Sequence, residues 1–183
     1  GAQTELLFDG GSLVLNSVGE TIDELLYFEE DFRIYELDEV IDNKETSYKE
    51  PKRMEIADIH DALVMGIRNY FQKLGFTKAI LGLSGGIDSA LTAVLAAEAL
   101  GSENVYNVLL PSKYSSDHSI SDSIKLAHNL NMPYDIIKIE DAVNTFEQTL
   151  QPFFKGLPPD IAEENIQARS RGLILMALSN KFG

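Results

Sequence analysis

Apolar and polar positions follow two different patterns along this chain, and the change falls near residue 54. In the second part, short apolar runs alternate with longer segments whose apolar side chains recur every three to four positions. The runs predict strands and the longer segments predict helices. The predicted strands are 78–83, 105–110 and 134–139, and the predicted helices are 88–100, 118–130 and 141–150. Strands that alternate with helices predict an α/β fold with a parallel sheet covered on both faces.

The first part of the chain has only short apolar runs, which are typical of strands. Runs at 6–8 and 13–15 flank an Asp-Gly-Gly-Ser segment, which predicts a hairpin. Further strands are predicted at 22–28 and 32–37. So few residues cannot close a core alone, and we expect residues 1–37 to be the edge of a larger domain.

A polar and acidic segment at 38–53 separates the two patterns. It contains few aliphatic residues, and residues 20–58 carry most of the net charge of −14. This composition predicts a solvated linker between domains. A helix is predicted directly after it, from 54 to 74, with Gly75 as its C-terminal cap.

The most distinctive residues join the predicted strand 78–83 to the predicted helix 88–100 without a linker. They read Ser84-Gly85-Gly86-Ile87-Asp88-Ser89. Free backbone N–H groups and the positive end of the helix dipole meet at such a turn, which favours an anion. The glycines allow a phosphate to approach the backbone, the serines offer hydroxyl donors, and the carboxylate of Asp88 suits a bridging Mg2+.

Other loops of this kind are distinguished by their residues. A Walker loop requires a lysine that is absent here, and the Rossmann fingerprint requires a different glycine spacing. Gly82-Leu83-Ser84-Gly85-Gly86 does match the nucleophile elbow of α/β-hydrolases, which would make Ser84 a nucleophile. That alternative requires a later acid and then a histidine, and His118 and His128 follow Ser84 in the chain.

Two segments resemble known families. Ser-Gly-Gly-Ile-Asp-Ser after a strand resembles the pyrophosphate loop of N-type ATP pyrophosphatases, which cleave ATP between its α and β phosphates. Residues 163–180, with a helical pattern, resemble the signature of glutamine-dependent NAD synthetases. The resemblance implies a Rossmann-like ATP pyrophosphatase domain at 54–183. Residues 1–37 resemble the C-terminal β tail of the nitrilase-like glutaminase domain that precedes it in that family.

The resemblance also implies ligands and residue roles. Asn165 and Arg169 are implied to contact deamido-NAD, and Asp88 is implied to help bind Mg2+. No residue in this sequence is implied to act as an acid, base or nucleophile. The residues implied to bind ATP are Gly82, Leu83, Ser84, Gly85, Gly86, Ile87, Asp88 and Ser89.

The implied reaction is the ATP-dependent amidation of deamido-NAD to NAD through an adenylate. The ammonia comes from glutamine hydrolysed in the adjoining domain. Two alternatives stay open: another amidotransferase of the same superfamily, of the GMP synthetase or asparagine synthetase type, and a nucleotide-binding module without catalysis.

Smaller features complete the interpretation of the synthetase part. The end of the predicted strand 105–110 is implied to flank the adenine. Asp117 or the hydroxyls of the preceding loop are expected to cap the next helix. Residues 151–160 contain Pro and Gly and predict a break before the last helix.

Composition limits the remaining possibilities. The 183 residues are 44% hydrophobic and 24% charged and include no cysteine, so disulfide frameworks and thiolate metal sites are excluded. The acidic net charge argues against a nucleic-acid partner, and no apolar run is long enough for a membrane span. We expect a cytoplasmic homo-oligomer. Since the family's second Mg2+ carboxylate and its glutaminase catalytic residues do not occur here, we also expect an internal fragment of a longer enzyme.

Overall fold

The computed structural model describes residues 2–3, 6–42, 48–49, 51–52, 54–113 and 115–182. The chain divides into two compact units, Gly1–Gly75 and Phe76–Gly183. Within the described ranges, none of the helices combines the length and the apolar character that a membrane span requires.

The described residues of the first unit form two small antiparallel sheets and two helices. Its strands are β1 (Ala2–Gln3), β2 (Leu6–Leu7), β3 (Leu13–Leu15) and β4 (Thr21–Glu24), and its helices are α1 (Leu37–Asp42) and α2 (Glu55–Leu74). Strand β1 pairs with β2, and β3 pairs with β4.

The predicted hairpin between 6–8 and 13–15 is wrong, because each run pairs with a different partner. The Gly-Gly pair leads the chain into the second sheet, where the backbone N–H of Gly11 donates to the carbonyl of Leu26 at 3.1 Å. The turn of that sheet lies at Asn16, whose Oδ1 accepts backbone N–H bonds at 3.1 and 2.8 Å. An asparagine that binds nearby amides is a common turn signal.

The strand predicted at 32–37 is also wrong, and the one predicted at 22–28 is shorter than expected. Side-chain bonds, not a ladder, hold the segment after β4. Arg33 Nη1 donates to both carboxylate oxygens of Asp23 at 2.6 and 2.7 Å, and the Tyr35 hydroxyl donates to the same group at 2.7 Å. The hydrogen bond from Arg33 lowers the pKa of the Asp23 carboxyl group most, and the bond from Tyr35 lowers it further.

Helix α2 agrees with its predicted range and ends as predicted at Gly75. Gly75 has a φ of +73°, and its backbone N–H donates to the carbonyls of the last turn, as in a left-handed cap. Helix α1 lies at the start of the predicted linker 38–53, where residues 43–47, 50 and 53 are outside the described residues. Helix α2 groups with the first compact unit. The predicted domain limits stay predictions.

The second unit is a parallel sheet with helices, which confirms the predicted α/β class. Its strands are β5 (Ala79–Gly82), β6 (Val105–Leu109) and β7 (Tyr134–Ile136), in the order β5-β6-β7. Its helices are α3 (Ile87–Leu100), α4 (Asp117–Asn129), α5 (Glu140–Phe154) and α6 (Ile161–Phe182).

Strand β6 lies at the centre of the sheet and supplies both halves of the core. Val105 and Leu109 pack on one face with the alanines of α3, whereas Val108 and the adjoining Leu110 pack on the other face with Ile139. Successive side chains of a strand point to opposite faces, so one apolar strand covered on both sides produces two clusters. The cores therefore fix β6 and place its carboxyl end.

Two local expectations concern the ends of helices. The cap of α4 is a hydroxyl of the preceding loop, one of the two expected groups, since the Ser116 Oγ accepts the backbone N–H of Ser119 at 3.2 Å; Asp117 is not the cap. Asp117 instead occupies the first helical position, where its negative charge interacts favourably with the positive end of the helix dipole. Helix α5 also continues through Pro152, so the predicted break begins only at Lys155. A proline near the C-terminal end of a helix removes one hydrogen bond at most and leaves little helix to disturb.

Helix α6 begins with a capping box, which follows from the sequence Asp-x-x-Glu. The Asp160 Oδ1 accepts the backbone N–H of Ala162 at 2.8 Å, and the Glu163 Oε2 accepts the backbone N–H of Asp160 at 2.7 Å. Two free donors of the first turn are thereby satisfied, which fixes where the helix starts.

Two buried serines allow a test of hydrogen bonding in this unit. The Oγ of Ser170 in α6 has no partner among the described residues, whereas the Oγ of Ser123 in α4 donates to the carbonyl of Ser119 at 2.9 Å. A satisfied hydrogen bond contributes about 1 kcal/mol, and an unpaired buried hydroxyl costs free energy. We expect Ser170→Ala to maintain or raise the free energy of unfolding measured in urea, and Ser123→Ala to lower it by about 1 kcal/mol. Equal losses in both variants would contradict the assignment, since helix propensity changes alike in each.

Candidate nucleotide-binding site

A cavity of about 250 Å3 lies at the carboxyl ends of β5 and β6. Parallel sheets bind ligands at this edge, because the loops that follow the strands meet there. Its walls come from the end of β5, the end of β6 and the loop after it, the first turns of α4, and α6. The lining residues are Gly82, Leu83, Ser84, Val108, Leu109, Leu110, Pro111, Ser115, Ser119, Ile120, Ser123, Arg171 and Leu175.

The loop from Ser84 to Ser89 is closed by its own hydroxyls. The two Oγ atoms lie 2.9 Å apart, and the Ser89 Oγ also donates to the carbonyl of Gly86 at 2.9 Å. The same Ser89 oxygen accepts the backbone N–H of Ser84 at 3.2 Å, and the Ser84 Oγ accepts the N–H of Gly86 at 3.3 Å. These bonds hold the loop in one shape, so the serines position the backbone around them.

Gly85 is the point where the loop touches the next helix. Its φ is +82°, and a Cβ placed there would lie 2.7 Å from the Cα of Ser119 and still closer to the Ser119 carbonyl oxygen. Only glycine fits this close approach and this φ. The contact fixes the loop against the first turn of α4.

The first turn of α3 supplies hydrogen-bond donors beside the loop. Gly86 is the N-cap and makes no side-chain cap bond. The next three residues, Ile87, Asp88 and Ser89, have no carbonyl one turn earlier in the helix to accept their amides. The macrodipole of this 14-residue helix adds positive potential at the same end. The geometry therefore fits an anion such as a phosphate chain.

Asp88 is the carboxylate of the loop and is exposed. Among the described residues, no cluster of three or more His, Cys, Asp or Glu side chains is arranged to hold a metal ion. Mg2+ is often bound by one or two carboxylates together with substrate phosphates. A single exposed carboxylate next to free amides fits that arrangement.

Asn165 and Arg169 both lie on α6, but neither lines the cavity. They are four residues apart, so they share one face of the helix, and both are exposed. The structure therefore brings the loop residues together at one site and places the two predicted deamido-NAD residues on a separate surface of the same unit.

Arg171 lines the cavity and was missed by the sequence interpretation. Its Nε donates to the carbonyl of Leu110 at 3.1 Å. The signal was present, because the signature contains a second arginine two positions after Arg169. Helical spacing alone does not show which of the two arginines faces the sheet.

The hydrolase alternative finds no support in the geometry. The Ser84 Oγ bonds to Ser89 and to the amide of Gly86, and no histidine is among the residues that line the cavity. A nucleophilic serine requires a base within hydrogen-bond reach. The ring of His128 instead lies against Tyr134, with the ring centroids 5.6 Å apart.

The chain matches known proteins along its whole length. A family model described as NAD synthase matches residues 59–183. A glutamine-dependent NAD(+) synthetase of Synechocystis is 46% identical over all of this chain and 33% of its own length, and one of Acinetobacter baylyi is 45% identical over all of this chain and 34% of its own. The chain thus spans about a third of the length of the curated relatives that it matches.

Solved structures agree with this match. The glutamine-dependent NAD+ synthetase of Acinetobacter baumannii, solved in complex with ADP, superposes with a TM-score of 0.88 and is 43% identical, covering 98% of this chain and 34% of that one. An NH3-dependent NAD synthetase of Campylobacter jejuni superposes with a TM-score of 0.62 at 30% identity, covering 70% and 53% of the two chains. The sequence and the α/β fold agree with this family, and the chain belongs to the NAD synthase family.

Proposed function

We propose that this chain forms the ATP-binding part of a glutamine-dependent NAD synthetase. The observation that carries the proposal is the loop 84–89, which presents free amides of α3 beside the cavity at the strand ends. Support also comes from the relatives, which carry this name, and from the A. baumannii relative, which was solved with ADP.

In this proposal the pyrophosphate of ATP lies in the loop and the adenosine lies in the cavity. The backbone of Gly85 and Gly86 allows the phosphates to approach, and the first-turn amides of α3 donate to them. Leu110 and Pro111 give the cavity an apolar wall suited to the adenine ring. The Ser84 and Ser89 hydroxyls shape the loop through hydrogen bonds within it. Either hydroxyl can donate to a phosphate oxygen if it gives up one of these internal bonds.

We propose that the carboxylate of Asp88 is a ligand of Mg2+. When bound, the ion neutralises charge on the phosphates, which the carboxylate alone would repel. Asp88 is at the second position of α3, so its carboxylate is held next to the amides that receive the phosphate. Its exposure leaves the oxygens accessible for coordination.

Asn165 and Arg169 are proposed to bind the second substrate, deamido-NAD. Arginine suits a carboxylate or a phosphate, and an asparagine amide both donates and accepts. Their position outside the ATP cavity is consistent with a second substrate that approaches from another side.

The proposed reaction has two steps. The nicotinate carboxylate attacks the α phosphorus of ATP, forms an acyl adenylate and releases pyrophosphate. Ammonia from glutamine then attacks the acyl carbon, and AMP leaves with the bonding electrons as the amide forms. The residues of this chain contribute positioning and charge neutralisation, because no acid or base is implied in the loop.

The other amidotransferases of the superfamily are not favoured, since the relatives that match the whole chain are named NAD synthetases. A nucleotide-binding module without catalysis would bind ATP without releasing pyrophosphate. The predicted cytoplasmic location and the absence of nucleic-acid and membrane partners stay predictions.

We also propose a homo-oligomer, on the basis of the exposed side of α6. Leu173 and Met176 are 59% and 62% exposed there, and a Cβ placed at Gly172 would meet no atom of another element within 4 Å. Apolar side chains beside a small residue are typical of a surface that packs against a second copy.

Asp88→Ala should reduce Mg2+-dependent pyrophosphate release by the whole protein at least about 100-fold, because the phosphates lose their metal ligand. Hydrolysis of glutamine should continue in part, since it occurs elsewhere. Asp122→Ala is the matched control: Asp122 is exposed in α4 and bonds to Lys125 at 3.1 Å. Normal NAD synthesis by the Asp88 variant would refute the role of this residue.

Gly85→Ala should distort the loop, because the new Cβ meets the backbone of Ser119 and φ is positive. We expect the free energy of unfolding to fall by about 2 kcal/mol and the affinity for a nonhydrolysable ATP analogue to fall with it. Gly86→Ala is the control, since Gly86 has a φ of −85° and its Cβ would lie 3.4 Å from the Ser84 Oγ. Equal losses of stability in the two variants would contradict the close-approach argument.

Met176→Glu should shift the whole protein toward smaller species in sedimentation velocity, because burying the new charge against a second copy is unfavourable. Leu157→Glu provides the comparison, since Leu157 is 73% exposed in the segment between α5 and α6. The oligomer surface would lie elsewhere if the two variants sedimented alike.

A further inference from the structure

The guanidinium of Arg171 is anchored at one point and otherwise has no partner in the described part of the chain. Its Nε donates to the carbonyl of Leu110, just beyond the end of β6, at 3.1 Å. Leu110 is buried, so this bond fixes the base of the guanidinium at the carboxyl edge of the sheet. The two terminal amino groups retain four N–H donors, and no described residue accepts them.

Arg171 forms part of the wall of two cavities. One is the nucleotide cavity, and the other, of about 450 Å3, lies at the start of α6. The second cavity is lined by Pro159, Asp160, Glu163, Glu164, Gln167 and Arg171. Its acidic walls disfavour a phosphate, and Glu163 is already bound in the capping box. An anion would therefore meet Arg171 from the side of the nucleotide cavity.

Arg171 is also the one cation among the described residues that line that cavity. The other polar side chains among them are serines, and the hydroxyls of Ser84 and Ser123 bond within the protein. The chain carries a net charge of −14, so an anionic ligand requires local positive charge. Arginine is well suited to this role, because its planar fork binds two phosphate oxygens at once.

Arg169 cannot serve the same part of the ligand. Residues two apart on a helix point in directions that differ by about 200°. Arg169 is exposed and lies outside the cavity, whereas Arg171 is half-buried and lines it. The paired arginines of the signature therefore point in different directions, and of the two it is Arg171 that lines the cavity.

We propose that Arg171 binds the α-phosphate, the group that joins the nucleoside in the cavity to the pyrophosphate in the loop. This inference rests on the proposed placement of ATP. The α-phosphate remains in the adenylate after pyrophosphate leaves, so Arg171 holds the same phosphate through both steps. Its bond to Leu110 makes the terminal amino groups stationary relative to the sheet.

The test compares AMP with adenosine, because the two differ only in this phosphate. Equilibrium titration of the whole protein should show that the wild type binds AMP more tightly than adenosine. Arg171→Ala should weaken AMP about 10-fold, which is the size expected for one charge-assisted contact, and change adenosine less than twofold. Arg171→Lys should restore most of the affinity for AMP, since it keeps the charge.

Two further variants separate binding from support of the fold. Arg171→Gln keeps an N–H that can donate to the Leu110 carbonyl but removes the charge, so AMP should weaken as it does in the alanine variant. Lys181→Ala, which removes an exposed charge from the last turn of the same helix, should leave both affinities unchanged. Equal losses for AMP and adenosine in the Gln variant, or an unchanged affinity for AMP, would overturn the proposal.

NAD synthesis by the wild type is measured separately. A wild type that binds AMP through Arg171 but forms no NAD would contradict the proposed function and support the role of Arg171. A wild type that forms NAD but binds AMP no more tightly than adenosine would support the proposed function and contradict the role of Arg171.

Discussion

The candidate site depends on the close approach of Gly85 to the first turn of α4. A side chain at this position would overlap the backbone of Ser119, so the contact exists only because the residue is glycine. It holds the loop between two helices that start at the same edge of the sheet. The hydrogen bonds between Ser84 and Ser89 restrict the backbone conformation of the rest of the loop. A phosphate placed beside the loop would meet donors that are already in position, so its binding would require little ordering of the backbone.

The sheet explains why the candidate site lies at this edge. Strand β6 is apolar on both faces and is covered on each, so the core fixes its carboxyl end relative to that of β5. Gly82 at the end of β5 lies against α6, since a Cβ there would be 3.0 Å from the Leu175 side chain. The helix that carries Arg171 is thereby held against the strand that leads into the loop. The packing on β6 and the contact of Gly82 with α6 therefore determine both the core and the geometry of the site.

The sequence predicted the elements that depend on long periodic patterns, and these are confirmed within a few residues. Strands β5 and β6 and helices α2, α3 and α4 have lengths and apolar faces that local residues determine. The short strands of the first unit were not predicted correctly, because a run of two or three apolar residues does not specify its partner. Asn16 closes the turn between β3 and β4 through bonds to amides two and four positions later, a local signal that the pattern of apolar runs does not contain.

The site was predictable to the extent that it is local. Six consecutive residues carry the loop, and their order is enough to indicate a phosphate. Which arginine of the signature lines the cavity was not predictable, since the placement of Arg171 depends on a carbonyl 61 positions earlier in the chain.

Net charge shows why such a residue is needed. In a strongly acidic chain the long-range field opposes ATP, so affinity must come from charges and dipoles within a few ångströms of the phosphates. In the proposed arrangement, backbone amides fit the terminal phosphates along the loop. Nearer the nucleoside the amides end, and the cavity wall is formed by carbon and by hydroxyls already bonded within the protein. A side chain with several free donors on a fixed base is the remaining way to hold an anion there, and Arg171 has that form.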